Sequence, residues 1–250
     1  MKNLLNNNSI LEITSEVVKY EKKAEALCND VYLLYSKNGK YIIKIAKDKI
    51  RQDELEKEVN LINKLKDVIS LPQILLYFNN EEMSFVLMEY IDGIKIKSFS
   101  DDILQQMANT LKSIHNFNFS NGIVDFDELL NIAKSNLNSN RLDINEFIDH
   151  KNIGSPESVL RYLQENKPKN IERRLLHGDF RPKNMLISNN NLFVFDYGLS
   201  FYGDIYYDFA IFKYYLSQEQ FDKFIRFYGI NKIDEERLKY NEYLSLFLNV

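Results

Sequence analysis

The stretch L-L-H-G-D-F-R-P-K-N-M-L-I (Leu175 to Ile187), followed by L-F-V-F-D-Y-G (Leu192 to Gly198), decides how this chain is read. It sets Asp179, Asn184 and Asp196 in a fixed order, with Asn184 five residues after Asp179. Phosphoryl transfer needs one carboxylate to orient an attacking hydroxyl and accept its proton. It also needs a carboxylate and an amide oxygen to hold magnesium on the phosphates. An Asp, an Asn five residues later and an Asp-x-Gly after a short hairpin can supply all three. The flanking runs R-L-L and M-L-I-S-N-N-N-L-F-V-F read as apolar strand segments broken by an Asn-rich turn. Asp179 is thus expected on a loop, as base, and Asp196 at a strand end, with Asn184 as the other metal ligand. His177 is expected to brace the loop through hydrogen bonds, because Asp179 already fills the role of base.

At 250 residues, with 45% hydrophobic residues, the chain can form one large domain or two lobes sharing a cleft. No apolar run reaches the roughly 18 to 20 residues that span a bilayer, and M-K-N-L-L-N-N-N-S lacks the apolar region of a signal peptide. No membrane role and a cytoplasmic location are expected. The single cysteine, Cys28, can form no internal disulfide, which fits a reducing compartment. A net charge of -4 argues against nucleic acid as a partner and suits a cationic substrate.

Along the chain, D-V-Y-L-L-Y-S-K-N-G-K-Y-I-I-K-I-A reads as a hairpin around Lys37-Asn38-Gly39, whose second strand carries Lys44. In R-Q-D-E-L-E-K-E-V-N-L-I-N-K-L, Leu55, Val59, Ile62 and Leu65 recur at helical spacing, so Glu58 rides a helix. A strand pair follows, I-L-L-Y-F and M-S-F-V-L-M-E-Y, separated by N-N-E-E. After Ile91-Asp92-Gly93 the pattern turns helical up to the Asp179 loop. The fold class is α+β with two lobes, a β-rich N-lobe over residues 1–91 and an α-rich C-lobe over 92–250.

Lys44 and Glu58 can pair so that the ammonium holds the phosphates of a nucleotide. The connector L-M-E-Y-I offers backbone groups near Glu89 to Ile91 for a nucleobase, with Ile43, Ile45 or Met88 as apolar walls. A glycine-rich phosphate loop is missing. In its place Cys28, Asn29 and Asp30 can form a tight turn whose amides face phosphates.

These residues resemble the aminoglycoside phosphotransferase and choline kinase superfamily, of protein-kinase-like fold. The matching elements are H-G-D-F-R-P-K-N, F-D-Y-G and G-D-I-Y-Y-D-F-A at Gly203 to Ala210. The last distinguishes it from protein kinases, whose A-P-E tripeptide does not occur. The resemblance is nearest to the aminoglycoside 3'-phosphotransferases, from the order of elements, the run S-P-E-S-V-L-R-Y-L-Q-E-N-K-P before the catalytic loop and the ending G-I-N-K-I-D-E-E-R-L-K-Y. It implies ATP or GTP as co-substrate, magnesium as cofactor, and a hydroxyl of a polycationic antibiotic as acceptor. It also implies that the Asp208 carboxylate buttresses the catalytic loop.

Two departures bear on the acceptor. The family closes with acidic residues where this chain has Ser245 and Leu246, and an arginine after the Asp-x-Gly is Leu199 here. The acidic candidates for a cationic acceptor are Asp143, Glu146, Asp149 and Glu242. A choline or ethanolamine kinase, with a cage drawn from Tyr202, Tyr206 and Tyr207, is the second reading. A catalytically silent nucleotide-binding protein is the third.

Overall fold

The computed structural model describes residues 8–25, 29–118, 126–139, 141–142 and 153–248. It divides into two compact units, one of Met1–Lys95 with Met185–Gly198, the other of Ile96–Asn184 with Leu199–Val250.

In the first unit a short helix, α1 (Asn8–Thr14), leads into β1 (Val17–Glu25), β2 (Asn29–Ser36) and β3 (Gly39–Ala46). The β2–β3 hairpin forms where Lys37-Asn38 must turn the chain, with Ser36 opposite Gly39 and the Ser36 hydroxyl accepting the Asn38 N–H. Helix α2 (Lys49–Leu65) starts at Asp48, whose carboxylate accepts the Arg51 N–H at 2.9 Å. Strands β4 (Ile74–Asn79) and β5 (Ser84–Glu89) complete an antiparallel sheet of order β1-β2-β3-β5-β4. Their turn is set by Asn80, whose side-chain oxygen accepts the N–H groups of Glu82 and Met83.

Because side chains alternate along a strand, this sheet has two distinct faces. Ile43 and its register partner Leu87, with their neighbours Leu34 and Phe85, are buried on one face with Ile10 of α1. Burying each such side chain contributes on the order of 1.5–3 kcal/mol. Lys44 lies on the other face, level with Val31 and Val86, and Ile42 follows level with Leu33 and Met88. Ile43 and Ile45 therefore do not share a face with Lys44, contrary to the sequence-based expectation for a nucleotide wall. Asn29 and Asp30 are strand residues opposite Ala46 and Ile45, so these two do not form the expected tight turn, and Cys28 lies outside the described residues.

A second difference follows Gly93. The chain is not yet helical there: β6 (Ile94–Lys95) pairs with β8 (Met185–Ser188), which itself pairs with β9 (Asn191–Val194). Gly93 is needed at this edge because an added Cβ would lie 2.9 Å from the Ile187 carbonyl oxygen. The β8–β9 turn is made by Asn189 and Asn190, both at positive φ (49° and 61°), a conformation asparagine tolerates.

The second unit is mainly helical. Helix α3 (Asp101–Asn116), capped by Ser100, packs along α7 (Gln218–Tyr228), which opens with a Ser217/Gln220 capping box and stops at Gly229 with φ 100°. Helix α4 (Phe126–Asn138) and α5 (Pro156–Glu165), with Ser155 as cap and proline in its first turn, pack together. Helix α8 (Glu235–Leu248) packs on α6 (Tyr206–Lys213) and α4. Two short strands, β7 (Arg174–Leu176) and β10 (Phe201–Gly203), pair and carry the Asp179 loop between β7 and a 3-10 turn at Pro182–Asn184. Among the described residues no helix is long and apolar enough to cross a membrane.

Candidate active site

Lys44 sits mid-strand, 7% exposed, with its ammonium held by two carboxylates of its own unit. Nζ lies 2.6 Å from Glu58 Oε2 on α2 and 2.8 Å from Asp196 Oδ1, just past β9. Burial by itself would lower the Lys44 pKa, but the carboxylates of Glu58 and Asp196 outweigh it and hold the ammonium above the usual lysine range. Burial raises the Glu58 carboxyl, opposed by Lys44, and the Tyr197 backbone N–H also donates to it. Asp196 is a half-exposed carboxylate at φ 67°, an unusual backbone conformation for a residue other than glycine.

In the second unit the loop after β7 places Asp179 almost fully buried. Asn184 Nδ2 donates to the Asp179 carboxylate at 2.7 Å and to its backbone carbonyl at 2.9 Å. With its nitrogen committed in this way, the Asn184 amide presents its oxygen as the remaining ligand atom. Arg181 Nε forms an ion pair with Asp179 Oδ1, and Lys183 Nζ lies 3.2 Å from Oδ2. The backbone N–H of Asp179 points at His177 Nδ1 at 3.2 Å, and the Ser200 hydroxyl donates to the His177 carbonyl.

Beneath the loop lies Asp208, fully buried on α6. Its carboxylate accepts the backbone N–H groups of His177 (2.8 Å) and Gly178 (2.9 Å) and faces His115 Nε2 at 3.0 Å. Asp204, four residues earlier, is held by Arg237 through two contacts of 2.8 and 2.6 Å and by Asn241 Nδ2 at 3.1 Å. The two aspartates of G-D-I-Y-Y-D thus tie α6 to the Asp179 loop on one side and to α8 on the other.

Magnesium that bridges nucleotide phosphates takes oxygen ligands, commonly one or two from the protein. The Asn184 amide oxygen and the Asp196 carboxylate are donors of that kind, so the residues present suit it. A match to the model of the phosphotransferase enzyme family spans residues 24–240.

The chain belongs to the phosphotransferase enzyme family.

Curated relatives of this phosphotransferase include an aminoglycoside 3'-phosphotransferase of Niallia circulans, 25% identical over 74% of this chain and 76% of the relative. A probable aminoglycoside 3'-phosphotransferase of Lactococcus lactis subsp. lactis (strain IL1403) is 27% identical over 83% of this chain and 82% of the relative. Among solved structures, aminoglycoside-3'-phosphotransferase of type VIII superposes with a TM-score of 0.75 at 20% identity, covering 93% of both chains. Choline kinase LicA from Streptococcus pneumoniae gives 0.73 at 21% identity, covering 98% of this chain and 87% of that one. These two likenesses speak to the fold, which is the α+β, protein-kinase-like architecture.

Of the other residues singled out in the sequence, Met88 is buried opposite Ile42 on the Lys44 face of the phosphotransferase's sheet. Glu89 ends β5, its N–H bonded to the Gln73 carbonyl at 3.0 Å, and Ile91 lies in the connector before β6. Asn29 is buried at the start of β2, and its side-chain oxygen has no hydrogen-bond partner among the described residues. Glu242, partly buried on α8, is bound to Lys213 at 2.7 Å. Asp143, Glu146 and Asp149 lie outside the described residues. The expected aromatic cage is not formed by the three tyrosines proposed for it. Tyr202, Tyr206 and Tyr207 are only 8%, 5% and 2% exposed, and the face of Tyr206 already carries the Arg237 guanidinium at 4.5 Å. Sequence reasoning missed His115, Tyr228, Asp204 and Arg237. Only Asp204 carried a signal, as the unassigned acid of the G-D-I-Y-Y-D run.

Proposed function

We propose that this phosphotransferase moves the γ-phosphate of ATP or GTP onto a hydroxyl of an aminoglycoside-type antibiotic, in the cytoplasm. The observation that carries phosphoryl transfer is the buried Lys44 ammonium held by Glu58 and Asp196, a cation fixed where a polyphosphate can meet it. The acceptor class rests on the curated relatives, whose names are those of aminoglycoside 3'-phosphotransferases.

In this mechanism Lys44, oriented by Glu58, neutralises the phosphates. The Asn184 amide oxygen and the Asp196 carboxylate would hold magnesium, which when bound would screen the phosphate charge. Backbone groups of Glu89 and Ile91 meet the nucleobase, Met88 supplies apolar surface on the Lys44 face, and Asn29 offers its unpaired amide oxygen to the nucleotide. Asp179 orients the acceptor hydroxyl and takes its proton, while Asp208 and His177 keep the loop in shape. Glu242, with Glu146 and Asp149, is assigned to the amino groups of the acceptor. Positioning and charge neutralisation account for most of the acceleration in such reactions.

The test is magnesium-dependent nucleoside diphosphate release from ATP and GTP, with kanamycin, neomycin, choline and ethanolamine offered separately and Asp179→Asn as the blank. Stimulation by an aminoglycoside, falling by about 10²-fold or more in the blank, is the expected result. Stimulation by choline or ethanolamine alone would overturn the acceptor class and leave the transfer chemistry standing.

A further inference from the structure

The carboxylate of Asp179 is already occupied. Oδ2 accepts a hydrogen bond from Asn184 Nδ2 at 2.7 Å and lies 3.2 Å from Lys183 Nζ, and Oδ1 forms an ion pair with Arg181 Nε. Oδ1 is shielded from solvent and accepts no hydrogen bond among the described residues. A general base must come within about 2.6–3.2 Å of the hydroxyl it deprotonates, directly or through one water. A water molecule cannot meet that condition at this carboxylate until one of its partners withdraws.

The partners differ in how firmly they are held. Asn184 is fixed twice, to the carboxylate and to the Asp179 backbone. Arg181 is mostly buried, whereas the Lys183 side chain is 63% exposed and makes one ion pair among the described residues. Solvent screens the exposed lysine end of this pair, so Lys183 leaves its buried partner more readily than Arg181 does. An acceptor that carries an ammonium near its hydroxyl can repel Lys183 and replace its charge beside Oδ2. Water can do neither, since it brings no charge to compensate the carboxylate.

We propose that Lys183, backed by Arg181, masks Asp179 in the absence of a cationic acceptor and so suppresses wasteful transfer of the phosphoryl group to water. In the suppressed reaction the water oxygen bonds to the γ-phosphorus and the bond from that phosphorus to the β,γ-bridging oxygen breaks. The bond's electron pair stays on the nucleoside diphosphate, the proton passes to Asp179, and inorganic phosphate leaves. Lys183 acts through Asp179 and is a positioning residue. The proposal rests on Asp179 being the base of the phosphotransferase, and it adds a reason why the site favours polycations.

The experiment measures nucleoside diphosphate release without any acceptor in the wild type, Lys183→Ala and Arg181→Ala, with Asp179→Asn as blank. With kanamycin present it also measures the ratio of diphosphate released to acceptor phosphorylated. That ratio does not depend on how much of the protein is folded. The expected result is an acceptor-free rate about fivefold higher in Lys183→Ala, equivalent to about 1 kcal/mol, and a ratio that rises above that of the wild type. An acceptor-free rate that is unchanged or lower in Lys183→Ala overturns the mask, whatever Arg181→Ala does. A wild type that turns over no acceptor overturns the proposed acceptor class, while the acceptor-free arm still decides the mask.

Discussion

His115 Nε2 lies 3.0 Å from Asp208 Oδ2, with both side chains buried. An ionised Asp208 can only accept, so Nε2 of His115 carries the proton and Nδ1 accepts from the Tyr228 hydroxyl at 2.8 Å. Burial, with the nearby Asp208 charge, holds the Tyr228 phenol well above its usual range, which keeps it a donor. A chain of hydrogen bonds thus runs from α7 through α3 and α6 to the backbone of the Asp179 loop. His115→Leu leaves Asp208 one donor short and Tyr228 without an acceptor, and should cost about 1–3 kcal/mol of unfolding free energy. Tyr228→Phe should cost less, about 1 kcal/mol, since it removes a single hydroxyl. Urea unfolding of both variants checks the order, and equal, negligible losses would show that the chain contributes nothing.

Replacing Lys44 with methionine leaves Glu58 buried without its cation, a loss of about 3–5 kcal/mol. Because the folded-state pKa of Lys44 is raised, its contribution is fully present below the ordinary lysine value of about 10.4. It is lost only as pH climbs through the higher folded-state value. The stability gap between wild type and Lys44→Met should therefore not close between about pH 6 and about pH 9. A gap that closes across that window in denaturant titrations would contradict the ion-paired ammonium.

Gly178 has φ 81°, and a Cβ there would meet the Leu199 carbonyl oxygen at 2.1 Å. Both the backbone strain and the backbone clash oppose any side chain, so Gly178→Ala should lose at least about 1–3 kcal/mol. For a protein of this size that lowers Tm by roughly 2–4 °C per kcal/mol. Turnover should fall as well, since the neighbouring residue is Asp179. A melting temperature equal to wild type would mean the loop has another way to accommodate Leu199.

Arg237→Ala removes two hydrogen bonds from the buried Asp204 and leaves it to Asn241 and the Tyr206 N–H. Stranding that charge should cost about 3–5 kcal/mol. Asp204→Asn in the same chain should restore part of the loss, because the two side chains act as one unit. Calorimetry on the single and double variants checks this, and strictly additive losses would argue against the coupling.

Much of the candidate site was legible because its residues are close in sequence. Asp179 and Asn184 share one loop, and Asp196 follows a hairpin whose Asn189-Asn190 turn is plain in the letters. The β2–β3 hairpin and the apolar spacing of α2 likewise placed Lys44 on a strand and Glu58 on a helix. His115 could not be read this way. It sits beside Ile114 on the apolar face of α3, and nothing nearby announces a carboxylate 93 residues later in the chain.

The sequence by itself determined the order of reactive side chains, the strand and helix periods that carry them, and the phosphotransferase signature, since those depend on neighbours along the chain. Only the tertiary structure decided which side chains are held by distant partners: Lys44 by Asp196, Asp208 by His115, Asp204 by Arg237, and β6 by β8. It also decided that Ile43 belongs to the core face and Lys44 to the opposite one. The physical reason is that a buried charge is tolerated only where folding brings it a partner, and that partner is chosen in space, with no regular spacing to mark it in the sequence.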